Sequence, residues 1–255
     1  MTATGSSATA PRIVLVGARS RRQGTGPFIA AGLSAAGAHV SGIVGTSDDT
    51  VRQAQAALQA DWHISSNGYT SLQDAIDSER PQAVALCSPW RFHAQQLRQV
   101  AAAGCHCLVE KPLAWPATED EVTELLAAFE QRSLLLQMVT QWPTTLAAYT
   151  QLHGALPAQI DSFSMRLSPI SIGPDMVTDS APHFISMLQA LLGPGDCINA
   201  VIERRRDSAL DLRCDYRHTT GRCRAELLLE TCEQRPRPAW YAINELRADR
   251  TVELP

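Results

Sequence analysis

The sequence predicts an α/β protein. A doubly wound parallel sheet occupies the N-terminal part, and a smaller α+β domain with a mainly antiparallel sheet follows it. Three observations predict this. Between residues 12 and 139, short apolar runs alternate with helical stretches, and the runs are apolar on both faces, as in strands covered on both sides by helices. A glycine-rich segment, residues 17 to 26, follows the first of these runs. After about residue 140 the runs lengthen and alternate polar with apolar residues at a period near two, broken by one helix.

The first strand is predicted over residues 12–16, a β-branched run. Pro27 then opens an alanine-rich helix to Ala36 and Gly37 closes it, the usual punctuation of a helix. A second strand is expected over 38–44 and a helix over 50–60. A short helix is expected over 69–78, with Thr70 or Ser71 as its cap. Strand 83–87, helix 92–103 ended by Gly104, strand 106–109, helix 118–131 and strand 134–139 complete the alternation. In the second part, strands are expected over 161–167, 197–203, 208–217, 222–232 and 250–254. The intervening helix is placed at 179–192, ended by Gly193-Pro194-Gly195. The expected division is a flexible tail at 1–10, a first domain at 11–138 and a second at 139–255.

Composition narrows the function. With 45% apolar and 19% charged residues, the chain belongs with globular proteins and not with disordered ones. A net charge of -4 gives no pull toward nucleic acid or an anionic membrane, and no apolar run approaches the length of a membrane span. Residues 1–10 have neither a basic start nor a hydrophobic segment, so they do not read as a secretory signal. Seven cysteines, an odd count without framework spacing, fit a reduced, cytoplasmic compartment. Cys105-His106-Cys107 reads as strand packing, and no metal site is expected. Arg204-Arg205-Arg206 reads as the exposed end of a strand.

Glycines between a first strand and a first helix let the main chain approach a pyrophosphate, which docks on the helix N-terminus. Gly17, Gly24 and Gly26 stand in that place, followed by Thr25, Pro27 and Phe28 around the helix start. The loop is longer than the compact G-x-G-x-x-G and holds Arg19, Ser20, Arg21 and Arg22. This is the context of a Rossmann dinucleotide site. At the end of the second strand, the acid that holds the ribose hydroxyls of NAD is replaced by Gly45-Thr46-Ser47. Thr46 and Ser47 leave room for a ribose phosphate, and Arg19, Arg21, Arg22 or Arg52 offers it a cation. The reading leans to NADP; the alternative is NAD held by Asp48.

Residues 104–114, Gly-Cys-His-Cys-Leu-Val-Glu-Lys-Pro-Leu-Ala, run from a strand into Glu110-Lys111-Pro112. Cys87-Ser88-Pro89 is followed by His93, and Thr178-Asp179-Ser180-Ala181-Pro182-His183 is followed by Leu191-Leu192-Gly193-Pro194. In this order and spacing, over residues 12 to about 195, the chain resembles the Gfo/Idh/MocA oxidoreductases. The resemblance implies a Rossmann domain plus an antiparallel-sheet domain, with a small-molecule substrate between them. It implies hydride transfer between NAD(P) and a carbonyl or alcohol carbon, often on a sugar or cyclitol. Carried over by position, Lys111 sits by the reacting hydroxyl and the nicotinamide ribose. His183 acts as general acid/base, with Asp179 one turn before it, and Ser88, Pro89, His93 and Glu110 flank the cofactor.

Elementary chemistry agrees with these roles. Histidine exchanges protons near neutrality, a carboxylate four residues away on one helix face orients it, and a lysine stabilises developing alkoxide charge. Other readings stay open: Asp179 as an N-cap, His183 as a structural histidine, His93 as a cap or packing residue, and Trp90, Trp115 and Trp142 as packing or as walls of the substrate site. The chain also departs from the family pattern. The phosphate loop is extended, Ala181 and Ser186 replace a glycine and an acid, Gln141-Trp142 replaces an arginine, and the second domain is short. A compact member is expected, with a homo-oligomer possible. Imine reduction in biosynthesis, or a dinucleotide-binding sensor or scaffold without turnover, are the alternative functions.

Overall fold

The computed structural model describes residues 10–18 and 24–251. The chain divides into two compact units, Met1–Val139 and Thr140–Pro255.

The first unit contains β1 (Arg12–Val16), α1 (Gly26–Ala35), β2 (His39–Val44), α2 (Asp48–Trp62), β3 (Asn67–Tyr69), α3 (Leu72–Glu79) and β4 (Ala83–Leu86). A single 3-10 turn, Trp90–Phe92, leads into α4 (His93–Ala102), and β5 (His106–Val109), α5 (Glu119–Glu130) and β6 (Leu136–Met138) follow. The six strands are all parallel and run in the order β3-β2-β1-β4-β5-β6. Successive side chains of a strand point to opposite faces, so one apolar run serves two cores. Val14 and Val16 join Val84, Leu86 and Val109 against Leu72, Ile76, Leu97, Leu125 and Phe129. Ile13 and Leu15 join Ile43 and Ala85 against Ala30, Val51, Ala54 and Leu58. That is why these strands show no polar alternation in the sequence.

Helix caps follow local chemistry. Ser47 caps α2 and Thr118 caps α5, each in a reciprocal capping box, with Thr50 and Glu121 respectively as the partner. Ser71, and not Thr70, caps α3, whose first residue is Leu72. The expected helical start at Tyr69 is corrected: residues 67–69 form an edge strand. Its three residues, with glycine in the middle, carry no strand pattern of their own, and pairing with β2 defines them.

The second unit opens with a 3-10 turn, Trp142–Thr145, and α6 (Leu146–His153), a helix beyond the one expected. Then come β7 (Ser162–Leu167), α7 (Asp175–Leu192), β8 (Gly195–Arg206), β9 (Ala209–His218), β10 (Gly221–Glu230), β11 (Trp240–Ile243) and β12 (Leu246–Asp249). The sheet order is β12-β11-β7-β10-β9-β8, antiparallel except for the β7–β10 pair. One face packs Phe163, Met165, Tyr216, Leu227 and Tyr241 against Met176, Phe184, Met187 and Leu188 of α7. Across the neighbouring strands, ion pairs such as Arg213–Glu226 (2.6 Å), Arg213–Glu203 (2.9 Å) and Arg166–Glu230 (3.1 Å) tie the sheet together.

Boundaries in this unit differ from expectation by a few residues. α7 starts at Asp175, four residues earlier, with Pro174 at its N-cap. The last described strand is β12; of the strand expected at 250–254, residues 250 and 251 are not in a strand and 252–254 lie outside the described residues. Arg204, Arg205 and Arg206 end β8 as expected and pair with Asp207, Asp211 and Glu230. Among the described residues no helix is long and apolar enough to cross a membrane.

Candidate functional site

In a doubly wound sheet the strand order reverses beside the first strand, and ligands bind outside the carboxyl ends there. Here the reversal lies between β1 and β4. The loops leaving them meet tightly: the Cys87 amide donates to the Val16 carbonyl at 2.8 Å, and the Gly17 amide donates to the Val44 carbonyl at 3.1 Å. Gly17 has φ of +88°, and a Cβ there would lie 2.6 Å from the Cys87 carbonyl oxygen. Only glycine fits that turn. A Cβ on Gly26 would lie 2.2 Å from the Gly17 carbonyl oxygen, so the first residue of α1 is pressed onto the turn that leaves β1.

Among the described residues, α1 begins without a side-chain cap. Thr25 at the N-cap makes no side-chain capping bond, and no acid stands in the first turn. α2 and α5, by contrast, carry Asp48 and Asp49, and Glu119, Asp120 and Glu121, in their first turns. The positive end of the α1 dipole is therefore left for an anion. Gly24 and Thr25 lead into it, Pro27 is buried in its first turn, and Phe28 packs edge-on against Trp62 with ring centroids 6.1 Å apart. Arg19, Ser20, Arg21 and Arg22 lie outside the described residues.

Beyond β2, Gly45 explains the missing acid. A Cβ there would stand 2.7 Å from Thr50 Oγ1 and 2.9 Å from Val51 Cγ2, so no carboxylate fits. Thr46 and Ser47 are exposed. Ser47 Oγ accepts from the Thr50 amide at 3.3 Å, and its own hydrogen remains available to an acceptor. Asp48 and Asp49 lie in the first turn of α2, with Asp49 paired to Arg52.

At the ends of β4 and β5 the next group assembles. The Glu110 amide donates to the Leu86 carbonyl at 2.8 Å, and the Lys111 amide donates to Glu110 Oε2 at 3.2 Å. His93 is fully buried; its Nδ1 lies 2.8 Å from the Pro112 carbonyl oxygen and its Nε2 2.8 Å from that of Ser88. Ser88 Oγ donates to Gln96 Oε1 at 2.5 Å. Pro89 caps the 3-10 turn, and Trp90 and Trp115 are exposed. Burial pushes the Cys87 thiol up to about 12, the Glu110 charge adds to that, and the Thr25 hydroxyl acts the other way. Cys87 thus stands among the loops after β1, β4 and β5.

Lys111 has one more distinction: it is the only lysine in the chain, the other 21 of its 22 basic residues being arginine.

In the second unit, Asp179 and His183 lie in the interior of α7, one turn apart. Because α7 starts at Asp175, Asp179 is not its N-cap. Asp179 Oδ2 accepts from Ser171 Oγ at 3.5 Å, and His183 is buried, its carbonyl accepting from Ser186 Oγ at 2.7 Å. Pro182 between them has no amide hydrogen, so the Thr178 carbonyl loses its helical donor within this stretch. Trp142 packs in the core against Tyr241. Cys105 is buried with its thiol toward the Pro81 carbonyl at 3.3 Å, and His106 Nδ1 accepts from the Leu135 amide at 2.9 Å, so that triplet is engaged in packing. No group of three or more potential metal-ligating side chains occurs among the described residues.

Residues 11–140 match the Gfo/Idh/MocA family model, described as an oxidoreductase family with an NAD-binding Rossmann fold. The chain belongs to this family. The matched segment covers β1 to β6 and so includes the glycine turn and the Glu110-Lys111-Pro112 segment. Inositol 2-dehydrogenase of Leifsonia xyli subsp. xyli is 28% identical over 189 residues, 68% of this chain and 52% of that protein. D-xylose 1-dehydrogenase (NADP(+)) 2 of Haloferax volcanii is 29% identical over 178 residues, 63% of this chain and 53% of that protein. The chain therefore matches about half the length of these curated relatives. Among solved structures, the WlbA (WbpB) dehydrogenase of Thermus thermophilus, in complex with NAD and UDP-GlcNAcA, shares the fold with a TM-score of 0.71 at 16% identity. That match covers 95% of this chain and 84% of that one.

Proposed function

We propose that this protein is an NADP-preferring oxidoreductase that moves hydride between the nicotinamide and a small carbonyl or alcohol, sugar-like in its polarity. The observation that carries the reading is the single lysine. A chain that meets every other basic position with arginine keeps an ammonium at Lys111, at the carboxyl edge of the central sheet. A guanidinium holds its proton throughout the accessible pH range, whereas an amine can give one up and presents a compact charge.

The residues present fit a dinucleotide. The Gly17–Gly26 contact brings the bare start of α1 against the first turn, and those amides receive the pyrophosphate. Gly45 excludes a carboxylate where NAD sites carry one, and Thr46 and Ser47 offer hydroxyls to a ribose phosphate. The bound nicotinamide supplies or takes the hydride. Lys111 holds the substrate oxygen and stabilises the charge that develops on it. His183 takes the hydroxyl proton during oxidation and returns it during reduction, with Asp179 one turn away to orient it.

The test is calorimetric titration with NADPH and NADH, followed by turnover of a polyol and sugar panel that includes inositol and D-xylose. NADPH binding tighter than NADH, with turnover reduced about 100-fold or more in Lys111→Arg, supports the reading. Tight binding without turnover of anything on the panel, or of an imine tested beside it, favours a dinucleotide-binding sensor. No binding of either dinucleotide refutes the proposal.

A further inference from the structure

We propose that His93 is a positioning residue. By holding the loop after β5 against the loop after β4, it fixes where the Lys111 amine stands. The inference rests on the reading of Lys111 as the residue that meets the substrate oxygen.

The geometry is compact. His93 is the first residue of α4 and has no exposed surface. One ring nitrogen faces the carbonyl of Ser88, two residues beyond β4, and the other faces the carbonyl of Pro112, the residue after Lys111, both at 2.8 Å. A carbonyl can only accept, so the neutral ring donates a hydrogen bond to one of the two carbonyls, chosen by its tautomer, and packs against the other. Ser88 is held a second time, through its hydroxyl, by Gln96 one turn along the same helix. The first turn of α4 therefore meets the loop after β4 at Ser88 and the loop after β5 at Pro112.

Residues 111–117 need such a grip. Sheet pairing of β5 ends at Val109, and the Glu110 amide makes the last ladder-like bond, to Leu86. Regular structure resumes only where Thr118 caps α5. Between those points the chain has neither helix nor strand, and Lys111 lies at its start. A buried imidazole bonded to the adjacent carbonyl converts a bend into a fixed platform. With its ring enclosed and both nitrogens turned to protein carbonyls, His93 acts on the reaction through Lys111 and not by touching the cofactor.

The single lysine makes a test possible that does not depend on activity. In this chain, trinitrobenzenesulfonate labels amines, and only Lys111 and the N-terminus carry one. Labelling of Lys111, read by peptide mass mapping, is compared in the native protein, His93→Phe and His93→Gln, with the N-terminal amine as internal reference. Losing one net hydrogen bond raises the population of the opened loop about fivefold, so Lys111 labelling in His93→Phe rises by about that factor. NADPH affinity is measured alongside, as the readout of a direct contact between His93 and the dinucleotide. His93→Gln keeps N–H donors and should recover at least half of the difference. If His93→Phe does not fold, His93→Asn, too short to span both carbonyls, reads the same quantity. Unchanged Lys111 labelling in a folded Phe or Asn variant overturns the inference. So does a large loss of NADPH affinity with labelling unchanged, which would make His93 a cofactor contact. The underlying reading fails separately: Lys111→Ala would then keep full turnover, whatever the labelling shows.

Discussion

Two glycines of α1 separate a steric requirement from a helix propensity. Gly32 lies in the helix interior, and a Cβ there meets nothing within 4 Å. Gly32→Ala should therefore stabilise the protein by about 1 kcal/mol, the helix preference of alanine over glycine. Gly26 opens the same helix, but its Cβ would stand 2.2 Å from the Gly17 carbonyl oxygen and 3.0 Å from the Ala18 Cα. Both obstacles are main chain, so no side-chain rotation relieves them. A carbon-to-oxygen contact relaxes at about 3.3 Å, so α1 must withdraw by about 1 Å. Such overpacking costs about 1–3 kcal/mol and outweighs any propensity gain. The same withdrawal carries the helix amides away from the phosphate. Losing one charge-assisted hydrogen bond, about 1.5–3 kcal/mol, weakens dinucleotide binding about 10- to 100-fold. Thermal unfolding and NADPH titration of the two variants side by side make the assay. At about 2–4 °C per kcal/mol, Gly32→Ala should melt higher than the native protein and Gly26→Ala lower. Equal melting temperatures with equal NADPH affinity would refute the claim that the turn and the helix start are held in contact.

Three further outcomes are expected. Ser47→Ala removes the α2 cap and should cost about 1 kcal/mol in urea unfolding; a fall in NADPH but not NADH affinity would add the ribose-phosphate contact, and unchanged NADPH affinity would remove it. Burial pushes the Glu79 carboxyl up, but hydrogen bonds from the Tyr69 hydroxyl (2.5 Å) and Asn67 (2.7 Å), with the charge of Arg12, leave it below its ordinary value. Its stabilisation is thus complete above about pH 4.3 and is lost as pH falls through the lowered value, so the deficit of Tyr69→Phe, about 1.5–3 kcal/mol near neutrality, should vanish in acid; a deficit constant with pH would contradict this. With the Cys87 thiol held up at about 12, its thiolate fraction at pH 8 is about 10⁻⁴, and iodoacetamide labelling mapped by mass should climb about tenfold per pH unit from there. Glu110→Gln should speed that labelling, and no change would mean the two groups do not interact.

Much of the first unit was legible because each strand advertises burial on both faces. Ile13 and Leu15 serve one core while Val14 and Val16 serve the other, which leaves an uninterrupted apolar run. The caps at Ser47, Ser71 and Thr118 are local chemistry and readable as such. What escaped depends on distant partners. β3 is three residues whose strand character comes from β2. α6 lacks a side-chain cap, and its Tyr149 is fixed by stacking on Tyr241, almost a hundred residues later. The start of α7 was obscured by Pro182, which the helix accommodates in its interior. At the site, Glu110-Lys111-Pro112 and the glycine turn could be read from residue order. The engagement of both His93 nitrogens could not, since it joins carbonyls on two separate loops.

The parallel pairing of β7 with β10 has a consequence for how the second unit comes into being. β7 is the first strand of its sheet to be made, yet neither neighbour is near it in the chain: Ser162 pairs with Arg224, and Phe163 with Ile243. The β8–β9–β10 meander closes through short turns and can form as soon as it is synthesised. β7 must wait with both edges unpaired until β10 has emerged, and with one edge unpaired until the chain beyond residue 240 has emerged. During synthesis this six-residue segment is the one most open to pairing with a neighbouring chain. Conditions that slow the ribosome between residues 170 and 240 should therefore lower the yield of folded protein more than the same delay placed in the first unit, where β1 finds β2 a few turns of chain later.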